Sequence, residues 1–111
     1  MIYYLLKYNQ SNYNSMSIEQ HPLFSAYHTR NTAEETIRVN GISILRKSSI
    51  ANHYALTIIH TNNKVIHYLI QQRPTSFAVV SESGRIYREF PNVNELIQQI
   101  AYQPNINEDP Q

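Results

Sequence analysis

The 111-residue sequence contains no cysteine, no tryptophan and only two glycines. Without cysteine the protein can form no disulfide bridge, thiol nucleophile or cysteine-ligated zinc site, which fits a reducing compartment. Two glycines are too few for a Gly-rich loop that cradles a nucleotide phosphate. No apolar run approaches the roughly 18 residues of a membrane span, and the run after Met1 is too short and lacks the basic flank of a signal peptide. These absences predict a soluble, cytoplasmic protein.

Neither sign of charge dominates, because the sequence has nine Lys and Arg residues and eight Asp and Glu residues. A net charge of +1 without a long basic block predicts no nucleic-acid and no membrane partner. The histidines have no metal-ligand spacing, so we expect no metal. No P-loop and no Ser/His/Asp arrangement is present, so we expect no cofactor and no catalysis. The histidines are His21, His28, His53, His60 and His67.

The pattern of apolar and polar residues predicts one α+β domain over residues 22–102, large enough for a modest core. An N-terminal extension (1–21) and a polar C-terminal tail (103–111) flank this domain. Several strand-like segments are apolar on both faces. This predicts a central antiparallel sheet sandwiched between two α-helices, together with a small accessory hairpin.

Caps and turn residues set the expected boundaries of these elements. The first helix begins at Thr29 or at the capping box Thr32–Glu35, and it ends at the Asn40-Gly41 stop signal. Asn92, three residues before Glu95, caps the second helix. The expected ranges are 29–39 for the first helix, 42–47, 53–60 and 64–71 for the main strands, and 77–81 and 85–90 for the hairpin.

Arg46 closes the apolar run 42–45, an unusual position for a charged residue. Alternation along a strand places Ile42, Ile44 and Arg46 on one face, which is a core face if the isoleucines are buried. A guanidinium is rarely buried without a partner, and no acidic residue lies within ten positions of Arg46. A distant carboxylate such as Glu34 could pair with it, or its side chain could reach solvent. The other interpretation is an anion that arrives from outside.

Three further features favour an anion near Arg46. Arg30 lies in the first turn of the first helix, where a cation opposes the helix dipole. The same helix end favours a bound anion. Ser48 and Ser49 follow Arg46 and provide hydroxyl and backbone N–H donors. Because guanidinium groups bind phosphate oxygens in pairs, these residues together predict a phosphate site.

Five blocks match the motifs of one known family, in that family's order, over roughly residues 22–102. Ser-Ile-Leu-Arg-Lys-Ser at 43–48 is similar to a Phe-Leu-Val-Arg-x-Ser strand, and Thr-Arg-Asn-Thr-Ala-Glu at 29–34 to a Ser-Arg-x-x-Ala-Glu helix start. Tyr-Ala-Leu-Thr-Ile at 54–58 and Val-Ile-His-Tyr-Leu-Ile at 65–70 are similar to Tyr-Ala-Leu-Ser-Val and Val-x-His-Tyr-x-Ile strands. Phe-Pro-Asn-Val-Asn-Glu-Leu-Ile at 90–97 is similar to a Phe-x-Ser-Leu-x-Glu-Leu-Val helix entry. The family that these blocks resemble is the Src homology 2 domain.

The resemblance implies a non-catalytic module that binds tyrosine-phosphorylated proteins or peptides. Arg46 would meet the phosphate at the floor of the pocket, and Arg30 would contact the phosphate and the face of the tyrosyl ring. Ser48 and Ser49 would donate to phosphate oxygens. His67 would line the pocket and orient Arg46, although a core histidine is an equal interpretation of that residue.

The sequence departs from the family pattern at several positions. Lys47 replaces the usual acidic residue after the strand arginine and would add positive charge if it turns inward. Leu69 replaces a common basic residue, so one wall of the phosphotyrosine pocket would be apolar. The chain after Tyr102 is short. We therefore expect small flanking loops and low selectivity for the residues around the phosphotyrosine.

Three functions remain open from the sequence. The first is a monomeric phosphotyrosine-binding adaptor, competitor or masking protein in tyrosine-kinase signalling, located in the host cytoplasm if a pathogen delivers it. The second is a structural or protein-interaction domain of the same fold with an unused phosphate pocket. The third is a small nucleic-acid binder that uses exposed tyrosines, but this would need a sheet face that the helices leave open.

Overall fold

The computed structural model describes residues 16–102 of the chain. The predicted tail 103–111 and most of the predicted extension 1–21 lie outside this range. Neither helix of the described range is long and apolar enough to cross a membrane. In chain order the elements are a 3₁₀ turn (Ile18–Gln20), α1 (Arg30–Asn40), β1 (Ile44–Lys47), β2 (His53–Ile59), β3 (Val65–Gln72), β4 (Phe77–Val80), β5 (Ile86–Phe90), α2 (Val93–Ile97) and a π-helical turn (Gln98–Tyr102).

The five strands form one antiparallel sheet in the order β1-β2-β3-β4-β5. The hairpin expected as an accessory unit is therefore continuous with the main sheet, because β4 pairs with the second half of β3. The register between β4 and β5 shifts at Val79 and Val80, where a bulge or irregularity interrupts the ladder. The predicted α+β fold with an antiparallel sheet between two helices is confirmed.

Local signals explain where α1 begins and ends. The hydroxyl of Thr29 accepts a hydrogen bond from the backbone N–H of Thr32 (3.2 Å), so Thr29 is the N-cap rather than the later capping box. Gly41 ends the helix with a φ of 72°, a left-handed conformation that glycine adopts without a Cβ penalty. Between these ends, Ala33 and Ile37 are fully buried.

Alternation along the strands divides the buried side chains between the two faces of the sheet. The larger set forms the main core with α2, in which Leu45, Leu56 and Ile70 contact the same cluster as Leu96 and Ile97. The opposite face carries Ile44, Arg46 and Thr57 and lies beneath α1, which contacts β2 and β3. Arg46 therefore lies on the face of the sheet beneath α1.

The segment before residue 22 also packs against the domain. Ile18 is fully buried and belongs to the main core, although it stands in a polar part of the sequence. Tyr54 donates a hydrogen bond to Glu19 (2.7 Å), and Phe24 forms a bridge to Leu45 at the edge of β1. Ordered packing thus begins at least as early as Ile18.

Candidate functional site

Arg46, near the end of β1, is 4% exposed. Its Nε–H donates to the hydroxyl of Thr57 (3.3 Å), Nη1 donates to the Lys47 carbonyl (3.5 Å), and Nη2 donates to Nδ1 of His67 (3.2 Å). All three acceptors are neutral. Within residues 16–102 no carboxylate pairs with Arg46. Burial and then repulsion by Arg30 lower the pKa of Arg46, so its positive charge is not compensated by the fold.

Hydrogen bonding fixes the protonation pattern of His67. Because an arginine N–H can only donate, Nδ1 of His67 accepts, and the ring proton must lie on Nε2. Nε2–H then donates to Oε1 of Glu34 (3.1 Å), and the Thr57 hydroxyl oxygen lies 2.8 Å from Nδ1. Glu34, the carboxylate considered as a partner for Arg46, instead contacts His67 and Arg38.

The pKa values agree with this arrangement. Burial lowers the pKa of His67, and the nearby charges of Arg30 and Arg46 lower it further, while the bond to Glu34 opposes them. The hydrogen bond from His67 is the main reason that the pKa of Glu34 is lowered. His67 therefore stays neutral at physiological pH and acts as an acceptor that holds the guanidinium of Arg46 in place.

The sheet face beside α1 contains an open cavity of about 360 Å³. Six of the seven residues predicted for the phosphotyrosine site line this cavity, and they come from α1, β1, the loop after β1 and β3. The six are Arg30, Arg46, Ser48, Ser49, His67 and Leu69. The cavity thus has two guanidinium groups and two serines on one side, a combination that suits an anion with several acceptor oxygens.

The family model of the SH2 domain matches residues 23–99, which is most of the chain. This chain belongs to the SH2 domain family. SH2 domains are in general non-catalytic modules that bind phosphotyrosine-containing peptides. No curated protein sequence matches the chain significantly.

One similar solved structure contains the tandem SH2 domains of the transcription elongation factor Spt6 from Antonospora locustae. The sequence identity is 20%, and the TM-score is 0.58. The match covers 72% of this chain and 42% of that chain, so the present sequence corresponds to less than half of the tandem structure. At this identity the likeness supports the SH2 fold alone.

Lys47 is the predicted site residue that the SH2 domain does not bring to the cavity. It follows Arg46 in β1 and therefore points to the opposite side of the strand, where its ammonium lies 3.8 Å from Glu19. The side chain is 66% exposed. The geometry gives no support to the predicted role of Lys47 at the phosphate, and period-two alternation is the physical reason.

The loop after β1 presents its serines differently. The hydroxyl of Ser48 accepts from the backbone N–H of Ile50 (3.0 Å), and the left-handed Asn52 (φ 64°) turns the chain back into β2. The hydroxyl hydrogen of Ser48 is not used in that bond. Ser49 is exposed at the rim. Both serines can therefore donate to an anion held by Arg46.

Several residues of the site were not predicted from the sequence. Thr57 lies directly opposite His67 in the β2–β3 register and contacts both that residue and Arg46. The far side of the cavity is formed by the β4–β5 hairpin, which was predicted to be an accessory unit. Its lining residues there are Val80, Ser81, Glu82 and Tyr87. The position of Thr57 opposite His67 could have been predicted by aligning the patterns of the two paired strands. The position of the hairpin at the cavity could not, because it depends on the order of the strands in the sheet.

Proposed function

We propose that this SH2 domain binds tyrosine-phosphorylated peptides with the phosphate seated on Arg46. The observation that carries the proposal is the buried guanidinium at the cavity, which has neutral hydrogen-bond partners and no carboxylate within residues 16–102. Burying a charge without a counter-charge costs stability. An incoming phosphate would provide the missing counter-charge and accept paired N–H bonds.

The remaining cavity residues have complementary roles in this proposal. Arg30, exposed at the start of α1, contacts the phosphate and the face of the tyrosyl ring. Ser48 and Ser49 donate to the phosphate oxygens. His67 and Thr57 hold Arg46, and Leu69 provides an apolar wall for the ring.

Depth makes the pocket selective for phosphotyrosine. Arg46 is almost fully buried, whereas Arg30 and Ser49 are exposed at the rim. A tyrosyl side chain is long enough to bring its phosphate past the rim to Arg46, and a seryl side chain is too short. The phosphate contributes most of the affinity, because charge-assisted hydrogen bonds contribute roughly 1.5–3 kcal/mol each. Selectivity for the flanking residues is correspondingly low.

In the cell, the domain acts without catalysis as a small monomeric adaptor, competitor or masking protein for phosphotyrosine sites in the cytoplasm. The two guanidinium groups of the cavity suit a phosphate monoester, which supports this role. In the part of the chain that the structure describes, no group of three metal-ligating side chains is present.

The direct test is a fluorescence-anisotropy titration at physiological salt with three peptides of one sequence, carrying tyrosine, phosphotyrosine or phosphoserine at the central position. We expect binding in the micromolar range or tighter for the phosphotyrosine peptide and at least 30-fold weaker binding for the other two, on the order of 2 kcal/mol. Equal binding of the unphosphorylated peptide would contradict the proposal and favour an interaction domain with an unused pocket.

A further inference from the structure

The fold uses part of the hydrogen-bonding capacity of Arg46 and leaves the rest for a ligand. A guanidinium has five N–H donors. Three of them bond to the hydroxyl of Thr57, the carbonyl of Lys47 and Nδ1 of His67. Within residues 16–102 two N–H groups remain, one on each terminal nitrogen of Arg46. This pair can bind two oxygens of one phosphate group.

Of the three contacts that hold Arg46, the one to His67 depends on the state of the partner. Carbonyl and hydroxyl oxygens always have a lone pair, whereas a neutral imidazole nitrogen accepts only when the ring proton is on the other nitrogen. With the proton on Nδ1, two donors would face each other at 3.2 Å, and the guanidinium would lose this contact. The position of Arg46 therefore depends on which nitrogen of His67 carries the proton.

Glu34 on α1 determines that state from outside the cavity. Its Oε1 lies 3.1 Å from Nε2 of His67, and an ionised carboxylate can only accept, so the ring proton is held on Nε2. The Glu34 side chain is 40% exposed and does not line the cavity. Arg38, one turn further along α1, lies 3.6 Å from Oε2 of Glu34 and donates to the carbonyl of Asn63 (3.2 Å). The carboxylate that contacts His67 is thus itself held in place.

Resting on the proposed function, we propose that Glu34 is a positioning residue for phosphotyrosine binding. By holding His67 in its Nε2–H form and in one ring orientation, Glu34 keeps Arg46 where its two remaining N–H groups can meet the phosphate. It acts through His67 and not on the ligand. The expected contribution is about five- to tenfold in affinity, which corresponds to one hydrogen bond.

The charge of Glu34 acts in the opposite direction. A carboxylate near the cavity repels a phosphate, so any neutral replacement removes some repulsion. Glu34→Gln removes the charge but keeps an Oε1 that can accept from Nε2–H of His67, whereas Glu34→Ala removes both. The ratio of the affinities of these two neutral variants therefore measures the hydrogen bond to His67 separately from the charge.

The test is an anisotropy titration of one phosphotyrosine peptide with the wild-type chain, Glu34→Gln, Glu34→Ala and Glu35→Ala. Nitrogen NMR spectra of the His67 ring in each free protein report which ring nitrogen carries the proton. Glu35 is the exposed neighbour of Glu34 on α1 and does not line the cavity, so its variant matches the change in net charge and in helix composition. Urea unfolding checks that each variant is folded during the titration.

We expect Glu34→Gln to bind at least as tightly as the wild type and to keep the wild-type nitrogen shifts of His67, and Glu35→Ala to stay within about twofold. Glu34→Ala should bind about five- to tenfold more weakly than Glu34→Gln, with the His67 shifts moved toward the average of the two tautomers. Equal affinities of the two Glu34 variants, or a weaker Glu34→Ala with unchanged His67 shifts, would overturn the inference while leaving phosphotyrosine binding in place. Failure of the wild type to bind the peptide would overturn the proposed function itself.

Discussion

Replacing Arg46 by methionine tests whether this arginine is needed for peptide binding or for the stability of the fold. The change keeps an unbranched, flexible stem at a position that is 4% exposed, but it removes the guanidinium with its charge and all N–H donors. If Arg46 serves the ligand, peptide binding must fall while the fold persists. If Arg46 serves the fold, the free energy of unfolding must fall as well.

The expected magnitudes follow from the contacts. Loss of two charge-assisted hydrogen bonds to phosphate removes about 3–6 kcal/mol of binding free energy, a reduction in affinity of about 100-fold or more. For stability, the lost bonds to Thr57 and His67 cost about 1 kcal/mol each. Removing a buried charge that is repelled by Arg30 offsets that cost. We therefore expect the free energy of unfolding to change by less than about 1 kcal/mol.

The assay combines anisotropy titration of a phosphotyrosine peptide with urea unfolding of the same preparations. Lys47→Met is the matched control, because Lys47 is adjacent in β1 but points away from the cavity toward Glu19. Its affinity should stay within about twofold of the wild type, as expected for an exposed ion pair. Affinity of Arg46→Met within threefold of the wild type would refute the assignment of the phosphate to Arg46. A loss of unfolding free energy above about 2 kcal/mol would identify Arg46 as structural.

Two further predictions concern the buried polar groups of the domain. Thr57→Val removes the hydroxyl that accepts from Arg46, so we expect about fivefold or greater loss of phosphopeptide affinity by titration and about 1–2 kcal/mol of unfolding free energy; unchanged affinity would show that Arg46 needs no such support. Burial lowers the pKa of His21 to about 4. As the pH falls, His21 is therefore protonated near pH 6.5 in the unfolded chain but only near pH 4 in the folded protein. Wild-type stability should therefore fall by up to about 3 kcal/mol more than that of His21→Asn as the pH drops from 7 to 4, measured by urea unfolding. Asparagine can still accept from the backbone N–H of Leu23, as Nδ1 of His21 does, so parallel pH profiles would contradict this origin.

Much of the fold could be predicted because local signals and the tertiary structure agree. Thr29, Gly41 and Asn92 bound their helices through side-chain or left-handed caps that are readable in the sequence. The β-branched strands around a short turn likewise gave the β2–β3 hairpin. Ile42 differs: the predicted strand began at this residue and put it on the same face as Arg46, but β1 begins at Ile44 and Ile42 is 57% exposed. Strand ends depend on pairing partners, which the sequence does not specify.

The candidate site was only partly predictable, and for a similar reason. The motif order located Arg46, Arg30 and His67, whose meeting in one cavity depends on the sheet register. Lys47 could have been excluded from the pocket because side chains alternate along a strand, and it directly follows Arg46, which faces the pocket. Glu82 could not have been assigned, because its place at the cavity depends on β4 pairing beside β3. Short-range patterns determine which way a side chain points, whereas pairing determines what it faces.

The central claim is that Arg46 is the group that meets the phosphate of phosphotyrosine. The most direct measurement follows the arginine Nε–H resonances by NMR during titration with a phosphotyrosine peptide and its unphosphorylated twin, with the Arg46 signal assigned by its absence in Arg46→Met. The account predicts that the phosphorylated peptide alone shifts this resonance, saturating at the same concentration as binding measured by anisotropy. Binding of the phosphorylated peptide with the Arg46 resonance unmoved would contradict it.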